Sequence, residues 1–557
     1  MTYSKTTDRL SSPHPDNFSP AIRTVRVVLS LLILATVIYV GLLDLVPPWE
    51  KDELIHHLAI PQLWVKAGHF VETPWAVFSY YPMNVDLLYT IPLILNIDVI
   101  AHFIHHGFGL LTAWLIFLFL RRHLNSTWGL LGALSFISIP LVMRLSASAY
   151  VDLGLTFFVT AGIMALIRWR ETNQWKYFII SASAIGLALG TKYQGAIILP
   201  LLSPVVFFIS LQRAAFIEAR FSRFGRAVGW TAIWLAIAGV IFAPWAIKNL
   251  ILTGNPFFPL LNSWFGLGDI IPPELKITTI VQRNLLYGES WLDYLLIPFR
   301  FFLQGQDHDP RFFDGVLNPF LLFLPVLALI KPRTAGTGLL AVISAVWILT
   351  LACLGGTAVR YIAPVLPALV ILSCIGLFRL HEVLTIRGRI AAARLAVLLI
   401  TAAMLAFNAS YTQEFWRGVD PGPYLTGRES RDQYLARKLD FYPAIQFINK
   451  SLPDTSRILL LFAGDRGYYF RRNYVFKTWF SGEMIQDILA RSSSAEEAKN
   501  IFKQLKTTHI MANDQLLTSY LSGLADQNVL ARWRYFQSKC LESQFAERGF
   551  TVYRIKE

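Results

Sequence analysis

The sequence predicts a mainly α-helical, polytopic membrane protein that carries a small soluble α/β domain at its C-terminal end. Three observations lead there. Of the 557 residues, 54% are hydrophobic and only 15% are charged, against about 25% charged in soluble globular chains. The apolar residues gather in runs of the length that crosses a bilayer, about 17–25 residues as helix. The charge density returns to ordinary values only after residue 410. A single soluble enzyme is thereby excluded. So is a disordered scaffold, because 14% of the residues are aromatic. Three cysteines, two of them in apolar runs, build no disulfide framework. The net charge of +14 would point to nucleic acid in a soluble chain; in this one the question is how Lys and Arg sort by membrane side.

The first span is Val25–Val46. It is too long for a signal-peptide core and lacks a small-residue cleavage site, so it reads as a retained anchor. Arg23 and Arg26 precede it and place the N-terminus in the cytoplasm. Residues 1–22 form a polar cytoplasmic tail. Later apolar segments are 102–120, 126–146, 153–168, 177–190, 195–211, 228–246, 316–330, 336–354, 361–378 and 391–409. Basic clusters fall between alternate pairs, at Arg121-Arg122, Arg168 to Lys176, Arg213 to Arg226, Lys331 to Arg333 and Arg379 to Arg394. If all five face the cytoplasm, about eleven spans result, with the C-terminus outside. Residues 84–100 are broken by Asn84, Asp86, Asn96 and Asp98, and read as a re-entrant or interfacial helix; 290–303 reads the same way.

The membrane part therefore covers 23–409, with outer loops at 47–101 and 247–315, and an outer α/β domain covers 410–557. In that domain Arg457–Gly464, Thr508–Met511 and Phe550–Ile555 read as strands. Ser494–Leu505 reads as a helix, with Ser494 as N-cap.

Ionisable residues near membrane depth are functional candidates by default, and here they collect on the expected outer side. Asp52-Glu53 follow the first span behind Pro47-Pro48. A carboxylate there suits a general base, though from the local sequence alone a solvated helix N-terminus is the plainer reading. Asp152 lies in Arg144…Tyr150-Val-Asp152, where an N-cap is the plainer reading. Lys192, in Gly190-Thr-Lys192-Tyr193, and Arg360, in Val359-Arg360-Tyr361, defy the charge rule; each suits a phosphate, and a snorkelling role fits Lys192 as well. Lys248 is a third outer cation, ahead of Gly254-Asn255-Pro256. Adjacent histidines (His56-His57, His105-His106) lack metal-ligand spacing, so no metal is expected, and no Walker or dinucleotide loop is present.

These pieces, in this order over residues 20–410, resemble the GT-C membrane glycosyltransferases, in particular the branch of protein O-mannosyltransferases and lipid A aminoarabinose transferases. The matching stretches are Asp52-Glu53; Arg144…Tyr150-Val-Asp152-Leu-Gly; Gly186-Leu-Ala-Leu-Gly-Thr-Lys192-Tyr; Lys248-Asn…Gly254-Asn-Pro-Phe-Phe-Pro259; and Arg360-Tyr-Ile-Ala-Pro-Val-Leu-Pro367. The resemblance implies a polyprenyl-phosphate-linked sugar donor, membrane lipid around it, and an acceptor hydroxyl on a lipid or a protein. It implies inverting transfer on the outer face of a bacterial inner membrane. By it Asp52 is the general base, and Glu53 and Asp152 orient the base or the acceptor. Lys192, Arg360 and Lys248 hold the donor phosphate, and Tyr150, Tyr193, Asn255 and Tyr361 position substrate. No cofactor is implied, and the metal-dependent oligosaccharyltransferases are the poorer match. The rival reading is a flippase or transporter of lipid-linked sugars. The missing internal repeat and the one-sided placement of the odd charges speak against it. The sugar and the acceptor are not legible.

Overall fold

The computed structural model describes residues 20–214, 220–268, 278–331, 336–354, 358–477, 481–524, 526 and 528–556. Residues 1–19 of the tail expected at 1–22, the Gly355–Thr357 stretch and part of the Arg213–Arg226 and Lys331–Arg333 clusters lie outside them. Two compact units emerge. One contains 20–44, 82–85 and 102–420; the other contains 45–81, 86–101 and 421 onward.

The first unit is a helical bundle. Its elements are α1 (Pro20–Asp44), α2 (Ile100–His123), α3 (Ser126–Ile137), α4 (Pro140–Ser146), α5 (Asp152–Thr172), α6 (Trp175–Leu189), α7 (Ile198–Ala214) and α8 (Arg220–Thr253). There follow α9 (Thr279–Tyr287), α10 (Trp291–Leu295), α11 (Ile297–Leu303), α12 (Phe320–Leu327), α13 (Thr337–Leu354), α14 (Leu366–Ile386) and α15 (Ile390–Val419). In hydrocarbon every backbone N–H and C=O must be satisfied within its own segment, which leaves the helix as the form for these runs. All eleven expected segments contain helix. Among the described residues, seven helical stretches are long and apolar enough to cross a membrane, or eight if α3 and α4, bent by 68°, make one span. α12 covers only eight residues of its expected run, and α6 and α13 are shorter apolar helices.

The bend has a local cause. Pro140 cannot continue α3 but suits the first turn of α4. At the break, Ser138 Oγ accepts from Asn408 of α15 (2.9 Å), and Asn408 Oδ1 in turn accepts from Asn318 (2.7 Å). The centre of the bundle is the apolar part of the stretch Val359–Ile386, 89% of it buried, whereas the apolar part of α15 is 11% buried and presents its apolar face outward. Close helix approach rests on small residues: a Cβ on Gly186 of α6 would stand 2.7 Å from the Ala238 carbonyl of α8.

The second unit contains a five-stranded sheet of order β2-β1-β3-β5-β4, with β1 (Arg457–Leu461), β2 (Asn473–Val475), β3 (His509–Asn513), β4 (Leu541–Glu547) and β5 (Phe550–Ile555). β1 runs parallel to β2 and β3, and β5 is antiparallel to β3 and β4. The three expected strands are β1, β3 and β5, each mostly buried. β2 and β4 went unread. β2 has three residues, and β4 exposes Glu542, Ser543, Ala546 and Glu547 as an edge strand. The expected helix is Ala495–Gln504, capped by Ser494 Oγ, which accepts the Glu497 N–H.

The expected division at residue 410 is redrawn. α15 runs to Val419, and the 47–101 segment, assigned to the membrane part, groups with the C-terminal residues except at 82–85. The reason is a set of contacts from Tyr468 to Tyr474. Tyr468 N–H donates to Leu54 O (3.1 Å), Tyr469 Oη to Pro48 O (2.5 Å), and Trp75 packs edge-on to Tyr474 at 5.2 Å. Asp98, read from sequence as a helix breaker, accepts both Arg431 (2.5 and 3.2 Å) and Tyr468 Oη (2.9 Å).

Candidate active site

In the first unit, the site grows from the start of α5. Asp152 is the first helical residue and not the N-cap; Val151 takes that position without a side-chain bond. The cap is supplied instead by a histidine. His105 Nε2 accepts the Leu153 N–H (2.9 Å), while Nδ1–H faces the carbonyls of Leu145 and Ser148 (2.8 Å each). Those contacts fix a neutral imidazole and release the Asp152 carboxylate from capping. The helix N-terminus still favours its negative charge.

Asp152 is 1% exposed. Its Oδ1 accepts from Lys192 Nζ at 2.8 Å. Its Oδ2 is buried and has no hydrogen-bond partner among the described residues. Lys192 sits in the tight turn after α6, where Gly190 O accepts the Asn84 N–H (2.8 Å) and a Cβ on Gly190 would collide with Asn84. The Lys192 ammonium lies 5.0 Å from the Tyr361 ring centre. Arg360 opens the 3₁₀ stretch Val359–Val365, its guanidinium 5.3 Å from the Tyr150 ring and 5.5 Å from that of Tyr361. Lys192 and Arg360 both act electrostatically on Asp152. Trp347 and Gln194 both donate to Tyr361 O, at 2.9 and 2.7 Å, and fix the turn that carries Arg360.

The structure thus joins five of the residues chosen from sequence: Tyr150, Asp152, Lys192, Arg360 and Tyr361. Two cations and one buried carboxylate leave a net positive site. Its one bare carboxylate oxygen can accept a hydrogen bond from a hydroxyl, and its cations can take phosphate oxygens. The tyrosine rings face the cations, so they steady the charges.

Other expectations are corrected. Asn255 is fully buried, and its amide is spent within its own loop: Oδ1 accepts the Phe257 N–H (2.8 Å), and Nδ2 donates to Leu260 O (2.7 Å) and Asn262 Oδ1 (2.9 Å). Tyr193 Oη donates to Phe258 O (2.9 Å) and accepts from Asn249 Nδ2 (3.0 Å). Both hold the 254–262 loop. Lys248 stacks on Trp245 at 4.9 Å.

In the second unit, Asp52 and Glu53 part company. Glu53 is 1% exposed, and its Oε2 accepts the N–H groups of Trp49 and Glu50, both at 3.0 Å. It ties down the turn behind Pro47-Pro48. Asp52 is half-buried and precedes a single π-turn, Glu53–His57, closed by Leu58 N–H to Glu53 O (2.9 Å). Such turns often mark functional sites. His57 Nδ1 and Asp86 Oδ1 form a buried pair at 2.7 Å.

Sequence reasoning missed a second charged group in the first unit. Arg144 Nη1 donates to Asp314 (2.8 Å) and Asp307 (3.1 Å). Burial works against ionised Asp314, yet the Arg144 charge and hydrogen bond hold its carboxyl below the usual range. Nearby, Glu289 is clasped by Arg283 (2.6 and 2.8 Å) and Arg300 (2.8 Å), and despite burial its carboxyl is held down to about 2. Only the quoting of Arg144 in a motif signalled any of this. Among the described residues no group of three or more His, Cys, Asp and Glu side chains could hold a metal ion.

The helices that carry this site have the fold of the GT-C membrane glycosyltransferases, and the chain is an integral membrane protein. Residues 94–247 match the model of the dolichyl-phosphate-mannose-protein mannosyltransferase family. Over 96% of this chain and 98% of its own length, apo ArnT from Cupriavidus metallidurans superposes with a TM-score of 0.57 at 13% identity. The same protein bound to undecaprenyl phosphate gives 0.57 and 13% over 95% and 97%. The apo oligosaccharyltransferase of Archaeoglobus fulgidus gives 0.52 and 12% over 90% and 72%. No curated protein sequence matches the chain.

Proposed function

We propose that the protein transfers a sugar from a polyprenyl-phosphate donor to an acceptor hydroxyl at the outer membrane face, with inversion. The observation that carries this reading is the Asp152–Lys192–Arg360 cluster, two cations around a buried carboxylate, in a fold shared with a protein solved with undecaprenyl phosphate. The acceptor oxygen attacks the anomeric carbon as its bond to the phosphate oxygen breaks. The electron pair leaves with the lipid phosphate, which gains one negative charge, and the acceptor proton passes to Asp52. Arg360 and Lys192 offset the charge as it develops, so they favour the transition state over the bound donor. The Asp152 Oδ2 atom accepts from a sugar or acceptor hydroxyl.

Arg360→Ala tests the reading. It removes a charge-assisted fork worth about 1.5–3 kcal/mol, so undecaprenyl phosphate should bind roughly 10- to 100-fold more weakly. Unchanged affinity would sink the phosphate role. Comparison of envelope glycolipids and glycoproteins by mass spectrometry, with and without the gene, names the sugar and the acceptor.

The same reading places the protein in a bacterial inner membrane with its N-terminus in the cytoplasm. Reporter fusions at Thr172 and Lys450 should then report opposite sides; agreement between them overturns the topology.

A further inference from the structure

The segment Gln304–Val316 is built as a rigid lobe that the proposed chemistry leaves without a task. It folds on itself through Gln306 N–H to Phe312 O (3.0 Å) and Gly315 N–H to Gln306 O (2.9 Å). His308, Phe313 and Asp314 all hold positive φ, at 61°, 69° and 43°. A Phe in that region is strained and persists only where its surroundings over-determine it.

The surroundings do so from two sides. The buried Phe313 ring packs edge-on to Phe301 at 4.9 Å and lies 4.8 and 5.2 Å from the guanidinium groups of Arg283 and Arg300. Asp314 and Asp307 are both held by Arg144, Asp314 also accepts the His308 N–H (2.9 Å), and Tyr411 donates to Asp307 (2.5 Å).

What the lobe holds is the residue before Arg360. Phe313 O accepts the Val359 N–H at 2.7 Å. A Cβ on Gly315 would stand 3.1 Å from Val359 Cβ, and one on Gly305 would stand 2.2 Å from Gly315 O. Asp314 and Arg360 also act on each other electrostatically. A long arginine side chain gives up much freedom when it grips a ligand, and a fixed backbone lowers that cost.

We propose that the 304–316 lobe positions Arg360 for the lipid phosphate, with Arg144, Asp314 and Gly305 as its positioning residues. The inference rests on the phosphate-binding reading of Arg360. The test uses the full-length protein in lipid nanodiscs, with undecaprenyl phosphate as the probe and the ligand-free thermal midpoint measured in parallel. Asp314→Asn and Gly305→Ala should each weaken binding by about tenfold, and Asp314→Glu, which keeps the carboxylate, should recover most of it. A lowered midpoint with unchanged affinity makes the lobe merely structural and overturns the inference. So does tighter binding in Asp314→Asn with Gly305→Ala unchanged, since the carboxylate would then act only through its charge. Arg360→Ala is the reference. If it leaves affinity unchanged, the phosphate-binding reading fails and the inference with it; if it weakens binding and the lobe variants do not, the inference alone fails.

Discussion

Asp52→Asn should reduce sugar transfer by about 10³-fold, within the 10²–10⁴ that a positioned general base supplies. Membrane insertion and affinity for undecaprenyl phosphate should stay unchanged. Asn keeps the size of the side chain, and the Asp52 side chain makes no hydrogen bond that caps the π-turn behind it. Asp52 is the better choice of the two neighbouring acids, because Glu53 is buried and already accepts two backbone N–H groups. Near-normal turnover in an assay with a lipid-linked donor would remove Asp52 as the base.

The largest stability effect should come from Lys192→Met. It strands the Asp152 carboxylate, which is 1% exposed, without its 2.8 Å partner. Breaking a buried pair in this way costs about 3–5 kcal/mol, because the remaining charge stays desolvated. The thermal midpoint should fall accordingly. Adding Asp152→Asn removes the stranded charge and should restore most of the stability, while transfer stays low because both charges are gone from the site. A loss below about 1 kcal/mol in the single variant would mean that the pair behaves as a solvated surface bridge. Stability and transfer recovering together would show the pair to be structural only.

Much of the fold was legible before the structure. Each expected span contains helix, because a segment that long and apolar can satisfy its backbone in a bilayer in few other ways. β1, β3 and β5 were legible because buried strands read as apolar runs. β4 was not, because an edge strand faces water and reads as a polar loop. Helix lengths were also read poorly. Proline at 140 splits one expected span, and only eight residues of the 316–330 run form α12.

The candidate site was legible in part, through the charges that break the sorting of Lys and Arg. Lys192 and Arg360 stood out for that reason, and both lie beside Asp152. Asn255 and Tyr193 were chosen by position in a motif, and the structure spends their polar atoms on a loop. Asp307 and Asp314 were passed over because charges in a polar segment look solvated until the fold brings Arg144 of α4 against them.

The sequence by itself determined the solvent of each segment: which helices meet lipid, which residues meet water, and where an ionisable group is out of place. Those are local transfer free energies, and they depend on composition within a window. The tertiary structure alone decided which charges become partners. Asp152 and Lys192 are 40 positions apart, and Arg144 and Asp314 are 170 apart. A hydrogen bond near 3 Å between such distant residues depends on the packing of several helices at once, and no window of sequence contains that information.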